Sequence, residues 1–412
     1  MLSVYKTFTL RYNKVVFIYK SPVKWGVQIA GMIFQTRSNT ITGKDTNHMS
    51  QSSFGNKFKV TTWGESHGKA LGAVIDGCPA GLPLCEEDIQ KFLDRRKPGQ
   101  SRYTTARKEG DLVEILSGVF EGKTTGTPIS LMVRNTDQRS RDYGNIAYSY
   151  RPGHADYTFD QKYGFRDYRG GGRSSGRETI GRVAAGAIAS KILEELGISI
   201  CTYTKSIGPV EIASFNKEEI HQNAFYMPDA QAAVKAGEYL EECMKNQDSA
   251  GGVIECRITG TPAGLGEPVF DKLSALLAHA LMSIGAVKAV EIGDGIAVTS
   301  SNGSTDNDGF TVKDGEIIKT SNHAGGIMGG ISDGSEIILR VHIKPTPSIS
   351  QPQQTVTKDK EPLSLEIHGR HDPVIVPRAV VVVESMAAIT LADALFVNMS
   401  SQMDKVRDFY RK

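Results

Sequence analysis

Residues 169–196 read RGGGRSSGRETIGRVAAGAIASKILEEL, a stretch that concentrates polar chemistry and then turns apolar. From Ile180 onward apolar residues recur at helical spacing, and Gly197 follows where a C-terminal cap is expected. Ser175 and Glu178 form an S-x-x-E pattern, which predicts a capping box at the helix start. The stretch therefore predicts a buried helix of about five turns that begins at a glycine-rich loop.

The loop before this helix is suited to bind an anion. Glycines 170–172 let the backbone approach a ligand closely, and the N-terminus of a helix attracts anions through its N–H groups. Arg173 and Arg177 add fixed positive charge and forked donors, so a phosphate or carboxylate is expected here. The alternative is a solvated Gly/Arg loop or a segment that binds nucleic acid through its charge. Such segments do not continue into a capped, alanine-rich helix.

The composition is that of an ordinary globular protein. The 412 residues form one large domain or two to three smaller ones, with 39% hydrophobic and 23% charged residues. A net charge of +2 gives no reason to expect nucleic acid or a membrane as partner. The five cysteines show no C-x-x-C spacing, which favours a reducing compartment, and no apolar run approaches the length needed to span a bilayer.

Residues 1–48 differ from the rest of the chain. They contain basic residues but only one acid, Asp45, and show no convincing core pattern. The segment is either an organelle transit peptide or the product of a start codon placed upstream of the real one at Met49. We favour the second interpretation, with residues 49–412 as a single domain in the cytoplasm. A transit peptide would instead indicate a plastid or another organelle.

Apolar spacing along the chain predicts an α+β fold. Strands are predicted at 59–63, 71–75, 112–119, 127–133, 198–204, 253–259, 287–292 and 336–343, with a hairpin at 311–320 that turns at Asp314-Gly315. Helices are predicted at 86–96, 229–245 and 271–284, the last capped by Asp271, and a strongly β-branched run at 374–383 precedes a final helix from about Ser385. Strands come in hairpin-like pairs with long helices between them, which does not fit regular βαβ alternation.

Gly64-Glu65-Ser66-His67-Gly68 matches the G-x-S-x-G pattern of serine hydrolases. In those enzymes the serine stands on a sharp turn between a strand and a helix. The residues after Gly68 are β-like, and the last histidine, His371, precedes the acid Asp372. Both features argue against a hydrolase.

Histidines and arginines in polar loops indicate acid–base chemistry on an anion. Each single histidine is either a structural or a catalytic residue; the three are His67, His154 and His371. Asp372 follows the last of them directly. A metal site is the rival interpretation, but H-E-x-x-H spacing is missing and the arginines would repel a cation. Basic residues 95–97 complement the dipole of the helix that they end, whereas Arg102 lies beyond that helix and is expected to bind an anion.

These residue types suit an enzyme that acts on a small phosphorylated anion by proton transfer or phosphate elimination. The glycine-rich loops at 170–172 and 322–330 are suited to hold a phosphate-bearing cofactor. A Rossmann site or a P-loop kinase is not predicted, because neither G-x-G-x-x-G on a strand–helix turn nor a Walker A sequence occurs.

Three long motifs in this order resemble the chorismate synthase family. They are residues 64–68 with Asp76-Gly77, residues 151–156 continuing through 172–179, and residues 370–373 with Glu384-Ser385. The similarity runs from about residue 53 to about residue 400. No single short pattern in the chain is as specific.

The resemblance implies a phosphate lyase of the shikimate pathway. Members of the family convert 5-enolpyruvylshikimate 3-phosphate to chorismate and phosphate by a trans-1,4-elimination. The reaction requires reduced FMN although it involves no net redox change. It also implies a β-α-β sandwich of antiparallel sheets around central helices, assembled as a homotetramer. Some members reduce the flavin themselves with NADPH, and others depend on an external reductant such as a separate flavin reductase.

The resemblance also implies roles for individual residues. His67 would donate a proton near the flavin, His154 would assist the departing phosphate, and Asp372 would help remove the flavin N5 proton. The substrate would contact Ser66, Arg96, Arg102, Arg151, Arg177 and Arg370. FMN would contact Arg173, Ser174, Ser175, Gly285, Ala286, Gly329, Lys344, Pro345, Thr346, Pro347, Ser348 and Arg370.

Two residues depart from the family pattern. Pro347 stands where the family often has serine, which puts a side-chain contact to FMN in doubt. Gly285 replaces a common asparagine, which leaves only backbone contact. Neither departure affects the acid–base residues.

Overall fold

A computed structural model describes residues 7–10, 13–16, 52–104, 109–136, 146–367 and 372–411. The chain consists of two compact units, Met1–His48 and Met49–Lys412. In the first unit, strand β1 (Thr7–Leu10) pairs antiparallel with β2 (Asn13–Val16). All other described elements belong to the second unit.

The second unit contains helices and strands in mixed order. The helices are α1 (Glu86–Arg96), α2 (Asp156–Tyr163), α3 (Thr179–Glu195), α4 (Ala230–Lys245), α5 (Leu273–Met282), α6 (Gly303–Asp306), α7 (Val376–Asn398) and α8 (Met403–Tyr410). The strands are β3 (Ser53–Phe54), β4 (Lys59–Gly64), β5 (Ala70–Asp76), β6 (Val113–Ser117), β7 (Val119–Phe120), β8 (Lys123–Thr124), β9 (Ile129–Arg134), β10 (Ser199–Ile207), β11 (Val210–Glu211), β12 (Gly252–Thr259), β13 (Val287–Ile292), β14 (Phe310–Lys313), β15 (Glu316–Lys319), β16 (Ile327–Met328), β17 (Ile331–Ser332), β18 (Ile337–Ile343), β19 (Gln353–Val356) and β20 (Pro362–Leu365).

Two five-stranded antiparallel sheets form the outer layers. The strand order is β3-β4-β5-β9-β6 in the first sheet and β11-β10-β12-β18-β13 in the second. Alternate residues of the central strands are buried, for example Leu131 and Val133 in β9 and Leu339 and Val341 in β18. This period of two means that each sheet turns one apolar face inward.

Helices α3 and α7 form the layer between the sheets. Helix α3 contacts β4 and β5 of the first sheet, α7 contacts β10 and β12 of the second, and the two helices contact each other. Gly186 allows the close crossing, because a Cβ atom there would lie 2.2 Å from the Cβ atom of Ser385. The structure thus confirms the predicted α+β fold with antiparallel sheets around central helices.

The central helix ends as predicted but starts differently. At its C-terminus Gly197 adopts φ +72°, and Ile198 N donates to Leu193 O at 2.9 Å, which is a Schellman motif. The predicted capping box is wrong, because a 3₁₀ turn at Gly176–Glu178 separates Ser175 from the helix. Ser175 caps that turn, and the Glu178 carboxylate lies 3.0 Å from Arg182 Nε.

The β-branched run at 374–383 is helical from Val376 onward, so the last long helix begins there and not near Ser385. A β-branched residue in a helix costs up to roughly 0.7 kcal/mol. Burying a valine side chain gains roughly 1.5–3 kcal/mol. Because residues 380–383 are buried in the central layer, packing outweighs local propensity.

Helix α7 is also long and apolar enough to cross a membrane, with a mean hydropathy of 2.0. The prediction that no apolar run has this length is therefore wrong by length and composition. Within the helix, 83% of the most apolar window is buried inside the protein, which is the environment of a core helix.

Most other boundaries agree with the sequence. Helix α1 and strand β13 have the predicted ends, and Asp229 caps α4 by accepting from Gln231 N and Ala232 N at 3.0 Å. The predicted N-cap Asp271 is wrong, because α5 starts at Leu273 with Lys272 as its cap. The backbone is fixed there by Leu273 N, which donates to Gly330 O at 2.7 Å. All five cysteines are free thiols.

Candidate active site

Ser66 and His67 lie in a tight turn between two antiparallel strands. Strands β4 and β5 pair up to Gly64 and Leu71, and Gly68 N closes the turn by donating to Glu65 O at 3.1 Å. Both side chains are buried, and Ser66 Oγ lies 3.1 Å from His67 Nδ1. The turn leads into a strand and not into a helix, so the geometry of a hydrolase nucleophile is missing.

The glycine-rich loop packs its backbone against this histidine. Glycines 170–172 all have positive φ, and a Cβ atom on Gly170 would lie 2.2 Å from His67 Cε1. A Cβ atom on Gly171 would lie 3.9 Å from the Arg151 guanidinium. Only glycine permits both this backbone conformation and this approach. The loop therefore brings the first two motifs together.

Arg173 fastens the loop to the end of β4. Its guanidinium donates to Gly64 O at 3.1 Å and to Thr62 Oγ1 at 2.6 Å. These neutral acceptors orient the guanidinium without cancelling its charge. Ser174 Oγ donates to Gly171 O at 2.7 Å, and Ser175 Oγ accepts from Arg177 N at 3.3 Å.

Asp111 joins two of the predicted substrate-binding arginines. Arg96 Nη1 donates to one carboxylate oxygen at 2.7 Å, and Arg177 Nη1 donates to the other at 3.0 Å. All three side chains are buried. Glu109 lies 3.7 Å from Arg177 Nη1, so these acids balance much of the positive charge. A paired carboxylate lets a buried arginine stay charged.

The pKa values follow from this pairing. Burial alone raises the pKa of Asp111, but the charges of Arg96 and Arg177 outweigh it and hold the pKa below its ordinary value. Burial lowers the pKa of Arg96, and Asp111 opposes that effect. Asp111 and Glu109 were not predicted from the sequence. The available signal was a pair of acids shortly after a very basic helix end.

Asp372 reaches the same cluster through Arg378. Its carboxylate accepts from Arg378 Nη1 at 2.5 Å, and Arg378 Nε donates to Arg96 O at 3.1 Å. The third motif is therefore linked to the second through the end of α1. The predicted residues Arg370 and His371 lie outside the described residues.

Arg151 is held within its own turn. Its Nε and Nη2 atoms donate to the two oxygens of Asp156 at 2.8 Å, and its backbone N donates at 3.0 Å. His154 N closes the turn on Arg151 O at 3.3 Å. Asp156 belongs to the quoted motif, but its pairing with Arg151 was not predicted from the sequence.

The loop at residues 344–348 meets this turn. His154 Nε2 lies 2.6 Å from Ser348 Oγ, and Lys344 Nζ donates to Gly153 O at 2.7 Å. Lys344 N donates to Ala286 O at 3.0 Å, and Ala286 has the unusual φ of +72°. Burial and the nearby charge of Lys288 lower the pKa of Lys344. These contacts link three of the predicted flavin-binding residues, Ala286, Lys344 and Ser348, to the turn that carries His154.

Two predicted residues, Arg102 and Gly329, have no described contact with the predicted site residues discussed above. Arg102 is exposed, pairs with Glu241 and lies 4.8 Å from the centre of the Tyr103 ring. Gly329 adopts φ +61°, and a Cβ atom there would meet nothing within 4 Å. The same is true of a Cβ atom on Gly285, which leaves space where the family often has asparagine.

Two cavities of about 550 and 340 Å³ lie elsewhere. The larger is lined by residues of the second sheet such as Lys205 and Arg340, and the smaller by Arg95, Cys201 and Glu384. Neither is lined by the predicted catalytic, substrate-binding or cofactor-binding residues. Within the described ranges, no group of three or more His, Cys, Asp or Glu residues is arranged to hold a metal ion.

Comparison with known proteins gives a consistent family. A family model described as chorismate synthase matches residues 58–396, and a model of a family of unknown function (DUF6783) matches residues 11–47. A protein of Agathobacter rectalis named chorismate synthase is 65% identical over 366 residues, which are 88% of this chain and 100% of that protein. One of Lachnoclostridium phytofermentans with the same name is 66% identical over 367 residues, with the same two coverages.

A solved structure of a chorismate synthase has the same architecture. It superposes with a TM-score of 0.68 at 34% sequence identity and covers 86% of this chain and 96% of its own. The shared fold, the match over most of the chain and the joined motifs all agree. The chain belongs to the chorismate synthase family and is an enzyme of the lyase class.

Proposed function

We propose that this enzyme converts 5-enolpyruvylshikimate 3-phosphate to chorismate and inorganic phosphate in the shikimate pathway. In this trans-1,4-elimination the C–O bond to phosphate and a ring C–H bond break while a ring double bond forms. The observation that carries the proposal is the packing of the buried His67 ring against Gly170, in the loop that continues to Arg173 and Arg177, which are proposed to bind anions. This packing supports the proposal that a proton-transfer group lies beside an anion site.

The arginines would bind and orient the substrate. Arg96 and Arg177 are held by Asp111, and Arg151 is held by Asp156, so their guanidinium planes are fixed before the substrate binds. Fixed donors cost little reorganisation when charge develops on the leaving phosphate. Ser66, Arg102 and Arg370 complete the proposed substrate contacts.

The residues around Lys344 fit a phosphate-bearing flavin. Burial first, and then the nearby charge of Lys288, lower the pKa of Lys344, and two neighbouring ammonium groups favour an anion. The space beside Gly285 and Gly329 supports close approach of a planar ring. Reduced FMN, when bound, would supply the electron that assists departure of the phosphate and would recover it afterwards. The cofactor-binding residues named above are proposed to hold it.

The protons would be handled by three side chains. His67 is proposed to hold the donated proton, with Ser66 fixing its ring. His154 would protonate the departing phosphate, and a hydrogen bond between Ser348 Oγ and its Nε2 fixes the ring. Asp372 would accept a proton near the flavin, oriented by Arg378.

An anaerobic assay tests the proposal. The protein is mixed with chemically reduced FMN and 5-enolpyruvylshikimate 3-phosphate, and chorismate and phosphate are followed together. We expect equal amounts of both products. Folded protein that forms neither would exclude the proposed reaction. Replacing the chemical reductant by NADPH then distinguishes intrinsic flavin reduction from dependence on a separate reductase.

The assembly and the N-terminal segment are further parts of the proposal. We expect a homotetramer, which light scattering of the purified protein measures. Residues 49–412 would form the single catalytic domain in the cytoplasm, and the bacterial sources of the relatives favour this over a plastid. Mass spectrometry of the native N-terminus decides whether residues 1–48 are retained.

A further inference from the structure

Asn135 holds the turn that carries Ser66 and His67. It follows the last residue of β9, and its Nδ2 donates to Glu65 O at 3.1 Å and to Gly68 O at 2.8 Å. Its backbone N donates to Lys69 O at 3.1 Å. The side chain thus grips the carbonyl groups on both sides of the two functional residues.

The same side chain reaches the anion site. Its Oδ1 accepts from Arg177 Nε at 3.0 Å, while Asp111 holds the Nη1 of that arginine. The contacts fix the orientation of the amide, because the reverse orientation would set its NH₂ group against a guanidinium and its oxygen against two carbonyls. Both donors and the acceptor of one amide are used.

The strand ladder alone does not position the turn. The β4–β5 register ends at the pair Gly64 and Leu71, and the β5–β9 register ends at Ala70 and Arg134. Residues 65–68 extend beyond both registers, where Asn135 supplies a link that leads directly to Arg177. A misplacement of about 1 Å between reacting groups costs up to roughly 100-fold in rate.

We propose that Asn135 is a positioning residue that sets the distance between His67 and the substrate-binding Arg177. It fixes where the proton donor stands relative to the bound anion and touches neither reacting atom itself. This inference rests on the proposed function, in which His67 handles the proton and Arg177 binds the substrate.

A double-mutant cycle tests the inference. Asn135→Ala, His67→Ala and the double variant are compared for kcat in the anaerobic assay. We expect Asn135→Ala to lower kcat roughly 10–100-fold. In the His67→Ala background it should lower kcat less than about 3-fold, because no histidine remains to be positioned. A purely structural role would instead make the two losses multiply.

Substrate affinity supplies a readout that does not depend on turnover. Calorimetry with the protein and oxidised FMN should show a Kd for 5-enolpyruvylshikimate 3-phosphate that rises roughly 3–10-fold in Asn135→Ala, because one hydrogen bond to Arg177 is lost. The rise should persist in the double variant. An unchanged Kd together with multiplying kcat losses would overturn the inference.

Asn223 provides a matched control. Its Nδ2 also donates to two backbone carbonyls, Glu219 O and Met227 O, both at 2.8 Å, in the loop before α4. Asn223→Ala should lower the melting temperature without the kcat coupling to His67. If it couples as strongly as Asn135, the effect is general loosening and the inference fails.

The outcomes separate the inference from the proposed function. If His67→Ala keeps wild-type turnover, the role of His67 is wrong and the inference falls with it. If His67→Ala loses turnover while Asn135→Ala does not, the inference alone is wrong. Should Asn135→Ala fail to fold, Asn135→Ser, which keeps a donor hydroxyl, enters the same cycle. Failure of both to fold assigns Asn135 to the scaffold and overturns the inference.

Discussion

The backbone of Gly170 packs directly against the imidazole of His67. A Cβ atom on Gly170 would lie 2.2 Å from Cε1 and 2.4 Å from Nδ1 of the histidine. The contact joins residues more than 100 positions apart in the sequence. It therefore couples the conformation of the glycine loop to the position of the proposed proton donor.

Gly170→Ala should displace His67 and lower kcat roughly 10–100-fold, because the added methyl group occupies the space of the ring. Gly172→Ala is the matched control, since Gly172 also has positive φ (+55°) but its Cβ atom would meet nothing within 4 Å. Both variants bear the backbone strain, which costs roughly 1–2 kcal/mol. Equal kcat values in the anaerobic assay for the two variants would contradict the contact.

Ser348→Ala should lower kcat about 10-fold, because His154 loses a hydrogen-bond partner 2.6 Å away. Ser348→Thr keeps the hydroxyl and should recover most of the rate. Fluorescence titration with FMN distinguishes the two proposed roles of this serine. A Kd for FMN that rises in Ser348→Ala while kcat stays normal would place the hydroxyl on the cofactor and not on His154.

Asp111→Asn should destabilise the fold by roughly 3–5 kcal/mol and raise KM for the substrate, because it leaves two buried guanidinium groups without their shared carboxylate. Urea unfolding measures the first effect. Glu114→Gln, which breaks an exposed pair with Arg134, is the control and should cost at most about 1 kcal/mol.

The loss of folding stability caused by Asp111→Asn should depend on pH. Because the folded pKa of Asp111 is depressed, its stabilisation is fully present above the unfolded value of about 4 and is lost as the pH falls through the folded pKa. The difference in unfolding free energy between the two proteins should therefore be constant above about pH 5 and shrink in more acidic solution. A difference that grows toward acid would contradict the assigned charge state.

Gly186→Ala should destabilise the protein by roughly 1–3 kcal/mol, although alanine is the better helix former. The new Cβ atom would lie 2.2 Å from Ser385 Cβ and 2.5 Å from Ser385 Cα, so α3 and α7 must move apart. Gly237→Ala in α4 is the control, since the nearest atom to its Cβ atom would be the Tyr103 hydroxyl oxygen, at 3.1 Å. Thermal unfolding should show a loss in Gly186→Ala and none of that size in Gly237→Ala; equal losses would rule out the tight crossing.

Local patterns predicted most of the fold. The period of 3.6 residues located α1 and α3, and alternation or apolar runs located the central strands. The pattern did not predict that residues 376–383 are helical, because local propensity there favours a strand and only burial between two sheets reverses it. Propensity carries no information on what surrounds an element.

The candidate site was predicted only in part. The histidines and arginines were recognisable from their motifs, and the structure links several of the described ones through shared partners such as Asp111 and the glycine loop. Their partners Asp111, Asp156 and Asn135 were not assigned, because each acts through contacts that a single sequence does not display. Asp111, for example, pairs with arginines 15 and 66 positions away.

The proposed role of His67 as proton donor is tested by the turnover of His67→Ala in the anaerobic assay. If His67 is the proton donor held by Gly170, kcat should fall by roughly two to four orders of magnitude. The Kd for 5-enolpyruvylshikimate 3-phosphate, measured by calorimetry, should stay within about 3-fold of the wild type, because the arginines proposed to bind the substrate are untouched. If His67→Ala forms chorismate and phosphate at a near-normal rate, His67 is not the proton donor.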